Sequence, residues 1–172
     1  MTVIIDTNVI LVANRQHEAA SEECVATCAR RLLVIVESGR VAIDSSFHIL
    51  NEYQNRTLPR SGTRSGDRFV RWLLRNNANP DRCDQVDLVE HAERGFNSFP
   101  EDERLANFDP ADRKFVAVAN AHEAKPPILQ AVDSKWVDWE AALGDCGLEV
   151  DFLCRADVER FDAAKKKRKA RS

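Results

Sequence analysis

The sequence contains no apolar run that approaches the roughly 20 residues needed to cross a bilayer. Its first residues lack a basic segment followed by an apolar core, so we expect no secretory signal peptide. Neither an internal repeat nor a low-complexity stretch occurs before Ala163. These absences favour a single globular domain in a chain of 172 residues, with no membrane partner.

Cysteine and histidine are too scattered to predict a zinc site. The five cysteines are an odd number, and Cys24 and Cys28, which lie four residues apart on a predicted helix, have no second close pair. The four histidines are isolated from one another. We therefore expect buried thiols in a reducing cytoplasm rather than a disulfide framework.

Charge is distributed unevenly along the chain. The net charge is −3, but segment 165–171 carries six basic residues and no acid, which leaves 19 basic and 28 acidic residues, or about −9, elsewhere. A body this acidic is unlike a duplex-DNA reader, whose pI typically exceeds about 9. The excess acid indicates either a metal site or a solvated surface. We expect a domain at residues 1–155 and a flexible basic tail at 156–172.

The order of predicted elements is typical of an α/β fold. Strands are predicted at 3–5, 40–43, 83–89, 128–132 and 148–154, and helices at 7–14, 21–37, 67–77, 91–97, 110–121 and 134–143, with another helix capped by segment 44–46. Short unbroken apolar strands favour burial on both faces. The pattern therefore predicts a three-layer α/β/α sandwich around a central, mainly parallel sheet of four to five strands.

Two of these strands run directly into an acid. The first precedes Asp6 and the strand at 128–132 precedes Asp133, at the carboxyl ends where open α/β sheets bind ligands. Two predicted helices offer Glu52 and Asp112 near the same edge. Carboxylates brought together in a partly desolvated site repel by several kcal/mol, so a cation must offset them. Oxygen ligands without a His or Cys cluster favour Mg²⁺ or Mn²⁺.

Each of these acids also has an ordinary structural interpretation. Asp6, Asp109, Asp112 and Asp133 occupy helix-cap, turn or first-turn positions, where a carboxylate stabilises the end of a helix. Glu52 would suit the solvated face of its helix. No single acid therefore decides between a structural role and a metal site.

Four motifs, in order along the chain, resemble those of PIN-domain nucleases. Val3–Asn8 resembles the first strand and its Asp-Thr-Asn motif, Ile49–Tyr53 the second acidic motif, Asp109–Ala119 the third and Val132–Lys135 the fourth. The resemblance covers roughly residues 1–155. It implies metal-dependent hydrolysis of phosphodiester bonds in single-stranded RNA.

The resemblance implies roles for individual residues. Asp6, Glu52, Asp112 and Asp133 would be catalytic and bind Mg²⁺ or Mn²⁺, supported by Thr7, Asn8, Ser46 and Asp109. Apart from the resemblance, the nuclease hypothesis lets arginines that recur every three or four residues contact RNA, with a solvated helix face as the ordinary alternative: Arg60, Arg64, Arg68 and Arg71. The fourth motif departs from the family pattern, because Trp136 stands where a further acid is usual and Asp138 is the nearest substitute.

The resemblance also suggests partners, and two other classes of protein compete with the nuclease hypothesis. Many small members of the family are toxins held by a small antitoxin protein, and a homodimer is compatible with the resemblance. A catalytically silent PIN-like module that binds RNA or protein is the main alternative, although the four retained acids argue against it. A receiver-type protein phosphorylated on Asp6 is less favoured, because position 8 is Asn and residues 3–5 are apolar.

Overall fold

A computed structural model describes residues 1–172 and contains seven strands and seven α-helices. The strands are β1 (Thr2–Ile5), β2 (Arg40–Asp44), β3 (Cys83–Val86), β4 (Glu90–His91), β5 (Gly95–Phe96), β6 (Ile128–Gln130) and β7 (Val150–Phe152). The helices are α1 (Thr7–Ala13), α2 (Glu22–Ser38), α3 (His48–Arg56), α4 (Ser65–Asn76), α5 (Arg113–Ala121), α6 (Lys135–Asp145) and α7 (Arg155–Ala170). Two short 3₁₀ turns, Glu103–Leu105 and Pro110–Asp112, precede α5.

Five strands form one parallel sheet in the order β3-β2-β1-β6-β7. β1 is central, since Val3 is opposite Val41 of β2 and Ile5 is opposite Leu129 of β6. The chain moves outward from β1 to β3 and later returns to β6 on the other side of β1, so the strand order reverses between β1 and β6. At such a switch point the following loops diverge and leave a crevice at the carboxyl edge.

The sheet is buried because its strands are apolar on both faces. Ile4, Ile43, Ile128 and Leu129 are all at most 1% exposed and belong to one core of 40 buried residues. Helix α5 packs against β1, β2 and β6, and α1, α2 and α4 pack against one another. The helices flank the sheet, so the predicted α/β/α sandwich with a parallel sheet is confirmed. None of the helices combines the length and apolarity needed to cross a bilayer.

Two local predictions of secondary structure are wrong. Segment 91–97 is not helical but belongs to the antiparallel hairpin of β4 and β5, whose turn ends at Gly95 with a φ of +84° that glycine adopts freely. Segment 156–172 lies mostly in α7 instead of forming an unstructured tail. The side chain of Val158 is fully buried and Phe161 packs against the core, so the folded unit continues past residue 155. The basic residues that follow Val158 and Phe161 led to the prediction of a flexible tail, because two apolar residues alone do not indicate a packed helix.

The expectation of free buried thiols is wrong for one pair of cysteines. Cys24 on α2 and Cys154, just before α7, form a disulfide with Cα atoms 5.3 Å apart, whereas Cys28, Cys83 and Cys146 are free. The Cys28 sulfur lies 3.8 Å from that of Cys154. Burial, together with the nearby Asp157 carboxylate, raises the pKa of the Cys28 thiol to about 12, which makes it a poor nucleophile toward the bond.

We predict that reducing the Cys24–Cys154 bond lowers the free energy of unfolding. The bond closes a loop with a sequence separation of 130, and freeing that loop restores unfolded-chain entropy worth up to about 5 kcal/mol. Urea unfolding with and without dithiothreitol measures the effect. Cys154→Ser removes the sulfur that both Cys24 and Cys28 approach. The urea midpoint of this variant should therefore match that of the reduced wild type and should not change when dithiothreitol is added.

Cys146→Ser is the matched control, because Cys146 is free and should leave the response to dithiothreitol intact. Equal urea midpoints for the oxidised and reduced wild type would show that this bond does not stabilise the fold.

Candidate active site

Asp6 lies where β1 ends and α1 begins, at the switch point of the sheet. Its backbone amide continues the pairing with β6 by donating to the Leu129 carbonyl at 2.9 Å. Its Oδ1 accepts from the Asn8 amide at 2.8 Å and so caps α1. The second oxygen, Oδ2, receives no hydrogen bond from the protein. Asp6 is therefore a cap that keeps one carboxylate oxygen available, although the residue is only 4% exposed.

A cavity of about 540 Å³ opens at this edge of the sheet. Its walls include all four acids that the sequence proposes as catalytic: Asp6 after β1, Glu52 on α3, Asp112 before α5 and Asp133 after β6. Thr7, Asn8 and Asp109 also line it. The structure thus brings together side chains that are up to 127 residues apart in the sequence.

Glu52 is held on both of its oxygens. The Thr7 hydroxyl donates to Oε1 at 2.5 Å, and the Lys114 ammonium lies 2.5 Å from Oε2. These contacts turn the side chain toward the first strand and leave it 28% exposed. A fully solvated helix face, the structural alternative for Glu52, is therefore excluded.

Asn8 fixes the loop that carries Asp133. Its Oδ1 accepts from the amides of Ala131 at 2.9 Å and Val132 at 3.4 Å, and its Nδ2 donates to the side-chain oxygen of Gln130. Gln130 is fully buried and also accepts from the amides of Ala131 at 2.9 Å and Asp133 at 3.4 Å. The loop after β6 is thereby tied across the switch point to α1.

Burial raises the pKa of the Asp6 carboxyl well above its ordinary value of 3.8. The carboxylate of Asp112 adds to the increase, followed by smaller contributions from Asp133 and Glu52, while the hydrogen bond from the Asn8 amide opposes it. The largest cause is thus the loss of water around the charge, and the neighbouring acids act in the same direction.

Asp112 shows the same effect from a position closer to solvent. Burial, then the carboxylates of Asp109 and Asp133, raises its pKa to about 6, and the positive charge of Lys114 opposes them. Asp109 caps the 3₁₀ turn by accepting from the Ala111 amide at 3.1 Å, as expected for a residue before Pro110. The crowded carboxylates form a hard-oxygen donor set whose repulsion a divalent ion such as Mg²⁺ or Mn²⁺ would relieve.

Ser46 does not reach the cavity. It is exposed in the turn after β2, and it is Asp44 that fixes this region. The buried Asp44 carboxylate accepts from the amides of His48 at 2.8 Å and Ile49 at 2.9 Å, which caps α3. The predicted supporting role of Ser46 in the site is therefore not matched by its position.

The four arginines proposed to contact RNA also lie outside the cavity lining. Arg64 donates to the Asn14 carbonyl at 3.1 Å, and Arg71 donates to the carbonyls of Pro59 and Gly62. Arg68 and Arg71 line a separate groove between α2 and α4, and Arg60 is exposed on the loop after α3. These arginines therefore lie on α4 and on the loop before it, and they do not form part of the acidic cavity.

Asp138 does not replace the acid that the fourth motif lacks. Its carboxylate lies 3.0 Å from the Lys165 ammonium of α7, and it is not among the residues that line the cavity. Trp136, which occupies the position of the missing acid, is fully buried. The cavity lining therefore includes Asp109 and Ser134 beside the four acids, but neither Trp136 nor Asp138.

The cavity lining also includes residues outside the predicted site, and three of them carry basic or aromatic groups: His17, Arg56 and Phe161. The rings of His17 and Phe161 lie 5.9 Å apart, and the exposed Arg56 guanidinium has no partner within the protein. Arg56 was a visible candidate, because it begins the regular arginine series. Phe161 had no such signal, since it lies in the segment expected to be flexible.

Tyr53, the only tyrosine of the chain, is a further missed residue. Its buried hydroxyl donates to the carbonyl of Ile5, directly below Asp6. This contact joins α3 to the end of β1, so it fixes the two elements that carry Glu52 and Asp6.

We predict that Asp112→Asn stabilises the metal-free protein at pH 8. The folded carboxyl has a pKa of about 6 against an ordinary value of 3.8, so between these values the folded state binds more protons than the unfolded one. The free energy of unfolding therefore falls as the pH rises from about 4 to about 6, and the cost at pH 8 is about 3 kcal/mol. Urea unfolding in EDTA should show this gain, which shrinks toward pH 4.

Asp145→Asn serves as the control, since Asp145 is exposed and pairs with Arg104 outside the cavity. A gain from Asp112→Asn that is the same at pH 5 and pH 8 would contradict an electrostatic origin.

Comparisons of the chain with protein-family models, with curated proteins and with solved structures find no match. The function of the cavity is therefore inferred from its own residues. These are Asp6 at the switch point, the three other acids that line the cavity, and the side chains that form hydrogen bonds with them.

Proposed function

We propose that the protein is a metal-dependent endoribonuclease that hydrolyses phosphodiester bonds in single-stranded RNA. The observation that carries the proposal is the convergence of Asp6, Glu52, Asp112 and Asp133 from four separate elements on one cavity at the switch point. The order of the four acidic motifs, which resembles that of PIN-domain nucleases, supports the same conclusion.

The donor set fits Mg²⁺ or Mn²⁺. Asp6 offers a free oxygen, Asp112 and Asp133 have no ion-pair partner, and Glu52 completes the set of four carboxylates. When bound, such an ion activates water and stabilises negative charge on the phosphodiester oxygens. Thr7 orients Glu52, and Asn8 with Gln130 holds the loop of Asp133, so the protein positions the ligands before the ion arrives.

The rim of the cavity favours a flexible single strand. Arg56 offers an unpaired guanidinium to a backbone phosphate, and the rings of His17 and Phe161 offer surfaces on which an unstacked base can lie. The acidic body of the protein disfavours a long duplex, because a duplex carries a high density of negative charge.

The biological setting follows from the family resemblance. We propose a cytoplasmic enzyme that acts as the toxin of a toxin–antitoxin pair, held by a small antitoxin protein, with a homodimer as a further assembly to test. These proposals depend on the nuclease activity and are decided after it.

We predict that the protein cleaves labelled single-stranded RNA in Mn²⁺ or Mg²⁺ and not in EDTA. Asp6→Asn and Asp112→Asn should each lower the rate by more than the roughly 10- to 100-fold typical of losing an outer partner of a metal ligand. Gel analysis of the labelled products measures the rate, and Asp145→Asn should leave it unchanged because Asp145 lies outside the cavity.

Binding of RNA without cleavage in any metal would instead favour the catalytically silent binding module. Cleavage that survives in both variants would show that this cavity is not the catalytic site.

We also predict that Arg56→Gln weakens RNA binding more than Arg60→Gln does. Both arginines are exposed, but only Arg56 lines the cavity, so only its loss should remove a phosphate contact. The expected loss of affinity is about three- to tenfold at low salt, with a smaller dependence of binding on salt. Fluorescence anisotropy with RNA in EDTA measures it. Equal effects of the two substitutions would place the RNA elsewhere on the surface.

A further inference from the structure

Lys114 places a positive charge beside Glu52, one of the four acids that line the cavity. It is the second residue of α5, and its ammonium lies 2.5 Å from Oε2 of Glu52 and donates to the carbonyl of Ala111. The same ammonium lies 4.7 Å from the centre of the Phe115 ring. The side chain is only 10% exposed. A lysine this buried is rare unless it is paired, so the contact with Glu52 defines its position.

No other buried cation compensates the acids that line the cavity. Lys135 lies 3.5 Å from the Asp109 carboxylate, but its side chain is 60% exposed to solvent. Asp6, Asp112 and Asp133 have no ion-pair partner. Lys114 is therefore the one internal charge that offsets the repulsion of the cluster.

The contacts of Glu52 leave room for an ion as well. Each carboxylate oxygen has about two lone-pair sites, and Thr7 and Lys114 occupy one on each oxygen. Glu52 can thus keep both partners and still face the cavity. Lys114 then has two opposite effects on a divalent ion: it positions a ligand, and its charge repels the ion.

We infer that Lys114 is a positioning residue that serves as the resident counter-ion of the cluster: it holds Glu52 toward the cavity when no divalent ion is bound, and its charge limits how tightly the ion is held. The inference depends on the proposed function, because it requires that Mg²⁺ or Mn²⁺ binds in this cavity. Repulsion is the larger of the two effects on affinity, because Thr7 continues to hold Glu52 when Lys114 is removed.

Three variants separate the charge of Lys114 from its contacts. Lys114→Arg keeps the charge, Lys114→Gln keeps a hydrogen-bond donor without charge, and Lys114→Met keeps only the apolar stem. Mn²⁺ binding to the full chain is measured by electron paramagnetic resonance of the free ion. We expect Lys114→Gln and Lys114→Met to bind Mn²⁺ about tenfold more tightly than the wild type, and Lys114→Arg to match it.

Thermal unfolding gives a second readout that does not depend on catalysis. In EDTA, Lys114→Gln and Lys114→Met should melt several degrees below the wild type, and Mn²⁺ should raise their Tm by more than it raises that of the wild type. Lys135→Met is the matched control, since it removes a solvent-exposed charge and should change neither measurement appreciably. A variant that folds only with Mn²⁺ also supports the inference.

Unchanged or weaker Mn²⁺ binding in Lys114→Gln would overturn the inference, as would a variant that fails to fold with Mn²⁺ present while Lys114→Arg folds normally. Failure of the proposed function looks different: the wild type and all Lys114 variants would then bind no Mn²⁺ at all.

Discussion

Carboxylates that share a partly buried cavity repel one another, and the polar contacts around this cavity act against that repulsion. The Asn8 amide binds one oxygen of Asp6, while Thr7 and Lys114 bind the two oxygens of Glu52. These contacts do not cancel the effect: burial first, and the neighbouring carboxylates after it, raise the pKa values of Asp6 and Asp112. The fold carries this local cost because one core of 40 buried residues supplies its stability.

The cavity also depends on the last helix of the chain. The Asp157 carboxylate of α7 accepts from the Ser21 amide at 2.7 Å, and the Cys24–Cys154 disulfide joins the same two regions. These links fix the start of α7, and Phe161 one turn later forms part of the cavity wall. The first strand and the last helix thus meet at one site, because the switch point lies beside the central strand.

Strong local patterns made the fold and the acids of the cavity predictable. The apolar run before Asp6 and the Pro110 helix start each have a local physical cause, and the alternation of elements predicts the sheet. Long-range contacts were not predictable. Nothing near Gln130 in the sequence indicates its hydrogen bond with Asn8. The basic residues after Phe161 likewise gave no indication that α7 packs against the core. The regular arginine spacing predicted a charged face but not which arginine reaches the cavity.

Asp6 and Asp44 differ in how many hydrogen bonds their carboxylate oxygens accept, and this difference separates an acid of the candidate site from a structural one. Both are buried, both end a neighbouring parallel strand and both cap the helix that follows. The Asp44 oxygens are fully engaged, since Oδ1 accepts from the Ile49 amide and Oδ2 from the amide and ring of His48. Asp6 engages only Oδ1 and leaves Oδ2 beside three other acids. An oxygen without a donor from the protein leaves the charge of Asp6 less compensated than that of Asp44, so the free oxygen of Asp6 is the feature that best supports the proposal of a cation in this cavity.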